Sequence, residues 1–177
     1  GMDIISLMQH SDIAMYEAKK KGRAQYHFFT QALHEEVQRT IALDKAMRDA
    51  LRNNEYELYY QPKVDAKTGA IVGAEALVRW NSPQNGLVPP NEFIPLAEHN
   101  GFIVELGEWV LKTAFKQQIA WRNKGLDLSV SINLAAQQLV HDHFETQFED
   151  LAHNIGIDPQ KIELEITEYF FLEQNKQ

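Results

Sequence analysis

The chain has 177 residues and a formal net charge of −8, from 17 basic and 25 acidic side chains. Hydrophobic residues make up 44% and charged residues 24%, so the composition is that of a folded globular protein and excludes a disordered chain. The absence of cysteine excludes a disulfide framework, an iron–sulfur site and thiol catalysis. The acidic balance argues against a nucleic acid polymer as the partner.

The first third of the chain is predicted to be mainly helical. A helix is expected from an N-cap at Ser11 to a stop at Gly22, and residues 25–29 form a short aromatic strand candidate. Apolar residues at helical spacing predict a second helix over residues 34–52. At roughly 100–200 residues per domain, the length allows one domain, or one and a fragment. A boundary is expected near residues 30–33 or just after the second helix.

From residue 56 onward the pattern changes to strands and helices in alternation. The segments predicted as strands are 57–63, 71–80, 128–134 and 162–167. The segments predicted as helices are 103–123 and 135–154, while residues 65–69 read as a turn and residues 83–90 as a loop. Strands that alternate with helices of this length are typical of βαβ units, so an α/β fold with a parallel sheet is expected.

Polar residues recur on these strands near their carboxyl ends, where α/β folds place their sites. Glu75, Leu77 and Arg79 share one face because side chains alternate along a strand. Asn133 ends the next predicted strand, and Glu165 lies in the last one. A glutamate within an apolar strand is costly unless it is paired or bound to a metal. Oxygen ligands of this kind suit Mg²⁺, Mn²⁺ or Ca²⁺ and not Zn²⁺.

A purely structural role for the same residues is the alternative. In that interpretation Glu75 pairs with Arg79, and Glu165 is a solvated strand end. Spacing alone leaves both interpretations open.

Five segments of the chain, in order, resemble the EAL domain family. They are YYQPK at 59–63, GAEALVRW at 73–80, PPNEFIPLAEHNGFI at 89–103, SVSINLAAQQL at 129–139 and ELEITE at 163–168. A lone Glu-Ala-Leu tripeptide would be a weak signal, whereas five motifs in the family order are a strong one. The resemblance implies that residues 33–177 form the N-terminal half of a TIM-type (β/α)8 barrel, truncated to about its first four β/α units.

Members of this family are phosphodiesterases that open cyclic di-GMP to linear pGpG with Mg²⁺ or Mn²⁺. By this resemblance, Glu75, Asn133 and Glu165 are metal ligands. The family places a paired-Asp motif, a lysine and a further glutamate on later strands. Since this sequence stops before them, its catalytic set is incomplete, and the fragment is expected to be inactive by itself.

The resemblance also implies the residues that meet the substrate. Arg79 contacts a phosphate of cyclic di-GMP, while Gln61 and Leu77 line the substrate site. Glu168 corresponds to the family glutamate that steadies an active-site loop. A degenerate domain that acts as a cyclic di-GMP receptor or a protein-interaction module is the alternative function.

Residues 11–29 (SDIAMYEAKKKGRAQYHFF) resemble the last helix and strand of a GGDEF domain, the diguanylate cyclase module. Residues 1–32 are therefore interpreted as the C-terminal remnant of a GGDEF domain and a linker. The GGDEF motif itself is absent from the sequence, so no cyclase activity is expected.

Assembly and location follow from the same interpretation. A half barrel exposes an unpaired strand edge, which predicts self-association as a dimer. The expected location is the bacterial cytoplasm, with a parent protein that an upstream sensor region could attach to the inner membrane.

Overall fold

The computed structural model describes residues 11, 14, 15, 28, 30–140 and 144–166. The chain divides into two compact units, residues 1–46 and 47–177. The helix and strand predicted before residue 30 fall almost entirely outside the described residues, and the domain division at residues 32 and 33 stays a prediction.

Helix α1 (Gln31–Arg52) begins three residues before its predicted start. The reason is an N-cap at Thr30, whose hydroxyl oxygen accepts a hydrogen bond from the Leu33 backbone N–H at 3.1 Å. The Thr30 carbonyl accepts a second bond from the His34 N–H at 3.1 Å. The apolar pattern showed the buried stripe of the helix but not the capped first turn, which a side-chain hydrogen bond defines.

The second unit contains five strands among its described residues: β1 (Tyr56–Val64), β2 (Ile71–Ser82), β3 (Gly86–Val88), β4 (Ser129–Leu134) and β5 (Ile162–Ile166). Its helices are α2 (Pro90–Asn100), α3 (Phe102–Asn123), α4 (Ala136–Val140) and α5 (Phe144–Ile155). A 3-10 turn at Pro159–Lys161 precedes β5. The helix predicted over residues 135–154 coincides with α4 and α5, and residues 141–143 between them lie outside the described residues. No helix in the described part of the chain has both the length and the apolar character needed to cross a membrane.

The sheet has the strand order β1-β2-β4-β5, and the short β3 pairs with the end of β2. The pairs β2–β4 and β4–β5 are parallel, as expected, whereas β1 is antiparallel to β2. The all-parallel expectation was therefore wrong for the first pair. A parallel connection needs a crossover of a dozen or more residues, and the turn between β1 and β2 is far too short for one. The length of that turn was the available signal.

The turn between β1 and β2 is organised by Asp65. One of its carboxylate oxygens accepts hydrogen bonds from the backbone N–H groups of Lys67 at 3.0 Å and Thr68 at 2.8 Å. The pKa of the Asp65 carboxyl lies below its ordinary value, and the hydrogen bond from the Thr68 N–H is the largest cause. Gly69 closes the turn with φ = 70°, a conformation that glycine adopts without strain.

The two faces of the sheet differ in chemistry. Alternate residues of β2 and β4, such as Ala76 and Ile132, are buried in an apolar cluster with residues of α3 and α5. The helical members at its centre include Phe115 and Ala152, both essentially without solvent exposure. The opposite face of the same strands carries polar side chains and forms the candidate site.

An aromatic cluster surrounds Tyr56 at the start of β1. The ring of Tyr56 lies 5.5 Å from that of Trp80, 5.7 Å from Phe93 and 6.4 Å from Phe102. Burial is the main reason why the pKa of the Tyr56 hydroxyl is raised, and this hydroxyl donates to the Met47 carbonyl. The cluster ties α2 and the start of α3 to the end of β2, just beyond Arg79.

Candidate functional site

One face of the sheet, called the polar face below, carries side chains from four strands. It consists of Tyr59, Gln61 and Lys63 of β1, Glu75, Leu77 and Arg79 of β2, Ser129, Ser131 and Asn133 of β4, and Glu163 and Glu165 of β5. Register places these residues together, since Gln61 lies opposite Glu75 and Asn133 lies opposite Glu165. All six predicted metal and substrate residues within the described part of the chain lie on this face. Glu168 lies outside the described residues.

Glu75 and Asn133 are in direct contact. The Asn133 side-chain amide donates a hydrogen bond of 2.8 Å to Oε1 of Glu75. Glu75 is half-buried, and this bond supplies a partner for its carboxylate. The structural alternative in which Glu75 pairs with Arg79 is therefore not the arrangement found.

Glu165 forms an ion pair with Lys63. The Lys63 ammonium lies 2.7 Å from Oε1 of Glu165, whose side chain is 39% exposed. Glu165 is therefore a partly exposed residue near the end of β5 that also has a charged partner. The residue that sequence reasoning missed is Lys63, although its place two residues after Gln61 on the same strand put it on the same face.

Lys63 is also bound to two other side chains of the polar face. Its ammonium lies 3.1 Å from Oε2 of Glu163 and donates to the Ser131 hydroxyl. The hydrogen bond with Glu165 is the largest cause of the raised pKa of Lys63. The hydrogen bond from the Ser131 hydroxyl, at 2.6 Å, and then that from Lys63 hold the pKa of Glu163 below its ordinary value.

The donor chemistry of Glu75, Asn133 and Glu165 fits a hard divalent cation. The three side chains come from adjacent strands and offer two carboxylates and one amide oxygen, the ligand types that Mg²⁺ and Mn²⁺ prefer. Asn133 lies in register with Glu165, and Glu75 is paired through its backbone with Ser131, two residues before Asn133. Among the described residues, no group of three or more His, Cys, Asp or Glu side chains is arranged to hold a metal. The predicted set needs only two carboxylates, because its third member is an amide.

Arg79 is held at the carboxyl end of β2. Its guanidinium donates to the Val78 carbonyl at 2.9 Å and lies over the Tyr59 ring, 5.4 Å from the centroid. A cation over an aromatic face is stabilised by the ring quadrupole. In the pairing of β1 with β2, Leu77 lies directly opposite Tyr59. A cation, an aromatic ring and an apolar side chain therefore lie together at this end of the polar face.

The loop that follows Asn133 is fixed by two glutamines. Oε1 of Gln138 accepts a hydrogen bond from the Ala135 N–H at 3.0 Å, and Gln137 donates to the Glu98 carbonyl at 2.8 Å. Gln138 is buried against Gly107 of α3, where an added Cβ would collide with its side-chain amide. The end of β4, and with it Asn133, is thereby anchored to α2 and α3.

Comparison with known families and proteins relates this geometry to sequence. The EAL domain matches residues 44–177. Cyclic di-GMP phosphodiesterase PdeR of Escherichia coli (strain K12) is 38% identical over 176 residues, which are 99% of this chain and 26% of PdeR. Bifunctional diguanylate cyclase/cyclic di-GMP phosphodiesterase MucR of Pseudomonas aeruginosa is 40% identical over 163 residues, which are 92% of this chain and 24% of MucR. The chain spans about a quarter of the length of these curated relatives.

Solved structures of other proteins resemble the fold. The PaMucR phosphodiesterase in complex with c-di-GMP has a TM-score of 0.69 and 40% identity over 72% of this chain and 52% of that chain. The EAL enzyme Bd1971 in its cAMP and cyclic-di-GMP bound form has a TM-score of 0.70 and 31% identity, over 98% of this chain and 46% of that chain.

Proposed function

The chain belongs to the EAL domain family, and on that basis we propose that it is part of a metal-dependent phosphodiesterase that hydrolyses cyclic di-GMP to linear pGpG. The observation that carries the proposal is the polar face, which gathers Gln61, Glu75, Leu77, Arg79, Asn133 and Glu165 from four strands. The names of PdeR and MucR, and the c-di-GMP bound to the PaMucR structure, support the choice of substrate.

In this proposal Glu75, Asn133 and Glu165 hold Mg²⁺ or Mn²⁺. When bound, such an ion polarises a phosphoryl oxygen and lowers the pKa of a water molecule. The two carboxylates offset the charge of the cation, and Asn133 adds a neutral oxygen while its amide N–H orients Glu75. The contact between Glu75 and Asn133 supports the assignment, because it aligns two of the three donors.

Arg79 is proposed to bind a phosphate of the substrate. A guanidinium can bind two phosphate oxygens at once, and its position over Tyr59 fixes its direction. Gln61 and Leu77 are proposed to line the same site, with an amide for polar contact and an apolar surface for the ligand. Glu168 is proposed, from the resemblance alone, to steady a nearby loop.

The remaining proposals concern the parent protein. We propose that the described sheet is part of a (β/α)8 barrel and that this chain by itself has little turnover. The described strand order leaves β5 without a further neighbour, and the chain spans 52% of the PaMucR structure. Residues 1–32 are proposed as a GGDEF remnant, which fits the diguanylate cyclase in the name of MucR. A cytoplasmic location is proposed from the family resemblance alone.

Self-association is proposed from the exposed edge of β5. Leu164 and Ile166 on that strand are 36% and 37% exposed, and Leu164 borders a groove lined by Phe148 and Ile157. An open, apolar edge of this kind pairs readily with a second copy. We expect a dimer in sedimentation velocity at micromolar concentration, and a single monomeric species would contradict this proposal.

The substrate proposal is tested by titrating the chain with cyclic di-GMP in the presence of Mg²⁺ by calorimetry, and by following pGpG by chromatography. We expect Arg79→Ala to weaken binding by about 10–100-fold, the effect of removing a hydrogen bond between charged groups. Arg122→Ala, which removes an arginine from the end of α3, is the matched control and should bind like the wild type. Equal binding by Arg79→Ala would refute the assignment. If a longer chain with a complete barrel bound cyclic di-GMP but formed no pGpG, the receptor alternative would be favoured.

A further inference from the structure

We propose that Lys63 is a positioning residue for Glu165, held in place by Glu163 and Ser131. The inference rests on the proposed function in one respect, which is that Glu165 binds a metal. It adds a residue that acts through Glu165 and is assigned no contact with metal or substrate.

The first observation is the distance over which Lys63 acts. Lys63 lies on β1 and Glu165 on β5, with β2 and β4 between them. In a flat sheet, three strand spacings would separate the two backbones by about 14 Å. The 2.7 Å contact therefore requires the sheet to curve around the polar face, with Lys63 reaching across its concave side.

The second observation is the space below the lysine. Gly73 lies in register with both Lys63 and Ser129, so the side chain of Lys63 passes over a position that has none. A Cβ at Gly73 would lie 2.5 Å from the Ser129 hydroxyl oxygen, which shows how little room remains there. Glycine and serine under Lys63 leave the path to β5 open.

The third observation is that the ammonium group is fully engaged. A lysine ammonium has three donors, and Lys63 has three acceptors: the Ser131 hydroxyl, Oε2 of Glu163 and Oε1 of Glu165. Glu163 is in turn held by Ser131 at 2.6 Å and by Ser129 at 3.3 Å. Glu163 and Ser131 thus hold the Lys63 ammonium in place. Its bond to Oε1 orients Glu165, and Oε2 is the oxygen that the proposal assigns to the metal.

The test compares Lys63→Met with Lys63→Arg in the chain, using a lysine from another ion pair as control. Lys161 pairs with Asp127 at 2.6 Å on a different part of the unit, so Lys161→Met is the matched control. The first readout is the χ1 rotamer population of Glu165, from three-bond couplings in NMR without metal. The second is the affinity for Mn²⁺, from the EPR signal of the free ion.

We expect one dominant Glu165 rotamer in the wild type and in Lys161→Met, and averaging over several in Lys63→Met. The affinity for Mn²⁺ should fall by about 10–100-fold in Lys63→Met, the usual effect of losing a group that orients a metal ligand. Lys63→Arg should retain much of the single Glu165 rotamer and much of the affinity for Mn²⁺. If Lys63→Met does not fold, Glu163→Gln should loosen Glu165 in the same direction, since it weakens the anchor of Lys63.

The opposite results overturn the inference. An unchanged Glu165 rotamer in Lys63→Met would show that Lys63 does not position it. Tighter Mn²⁺ binding in that variant would show that Lys63 competes with the metal. Different results would show that the proposed metal site itself is wrong. In that case Mn²⁺ would not bind to the wild type, or Glu75→Gln would bind Mn²⁺ as well as the wild type does. The rotamer measurement would still decide the role of Lys63.

Discussion

The substitution Gly73→Ala tests how tightly the polar face is packed beneath Lys63. An added Cβ would lie 2.5 Å from the Ser129 hydroxyl oxygen and 3.0 Å from the Ser129 carbonyl oxygen. The hydroxyl can rotate away, but it then loses its 3.3 Å hydrogen bond to Glu163, whereas the carbonyl moves only if β4 shifts.

The expected cost follows from these two contacts. Overpacking of a filled interior costs about 1–3 kcal/mol. Replacing glycine with alanine within a strand returns about 0.5–1 kcal/mol through lower chain entropy. We therefore expect the free energy of unfolding to fall by up to about 2.5 kcal/mol, measured by urea denaturation with an unchanged m-value.

A double mutant identifies the cause. In a Ser129→Gly background the hydroxyl contact is absent, so Gly73→Ala should cost less by about 1 kcal/mol, and the two substitutions should be non-additive. Gly86→Ala is unsuitable as a control because φ at Gly86 is 69°, which strains any other residue. Ala70→Gly, in the turn outside the polar face, tests for a general effect of glycine content. A stabilising Gly73→Ala, or an equal cost in both backgrounds, would refute the packing argument.

Three further predictions concern the core, the site loop and pH. Phe115→Ala should lower the free energy of unfolding by about 3–5 kcal/mol in urea titrations, because Phe115 is fully buried and its ring lies 5.5 Å from that of Phe148. Gly107→Ala should displace Gln138, lower the free energy of unfolding by about 1–2 kcal/mol and weaken Mn²⁺ binding through Asn133; unchanged Mn²⁺ binding would show that this contact does not position the loop. The folded-state pKa of Glu163 is lowered, so its stabilisation is present above its ordinary value of 4.5 and is lost as pH falls through the folded value. The pKa of Lys63 is raised above 10.5, so its contribution is present below that value and is lost only as pH rises through the folded value. The destabilisation caused by Lys63→Met should therefore be smaller at pH 3 than at pH 7, and an equal effect at both would contradict the ion pair.

The sequence predicted the location of the candidate site better than its contacts. Strand periodicity placed Glu75, Leu77 and Arg79 on one face, and the structure confirms that Asn133 and Glu165 share it. Alternation is a local property, so it can be read from a single strand. The partner of Glu165 could not be found in this way, since Lys63 lies 102 residues earlier in the chain.

The errors in the predicted fold have local causes. The short Asp65 turn implied that β1 and β2 pair antiparallel, as they do. The prediction of a parallel sheet followed instead from the alternation of strands and helices farther along the chain. The strand β3 (Gly86–Val88) has three residues, too few for a periodic pattern, and it forms because it pairs with the end of β2. Helix α1 begins earlier than predicted because its first turn depends on a cap and not on apolar spacing.

The separation of Lys63 and Glu165 in sequence also has a consequence for the order in which the unit folds. The β1–β2 hairpin joins neighbouring segments, so it can form soon after both strands have left the ribosome. The ion pair between Lys63 and Glu165 closes a loop of 102 residues, and contacts over such distances form late and slowly. At a synthesis rate of about 5–20 residues per second, Glu165 is added to the chain several seconds after Lys63. We therefore expect the hairpin to be protected from hydrogen exchange in nascent chains that end before β5, and the polar face to assemble only after β5 has emerged.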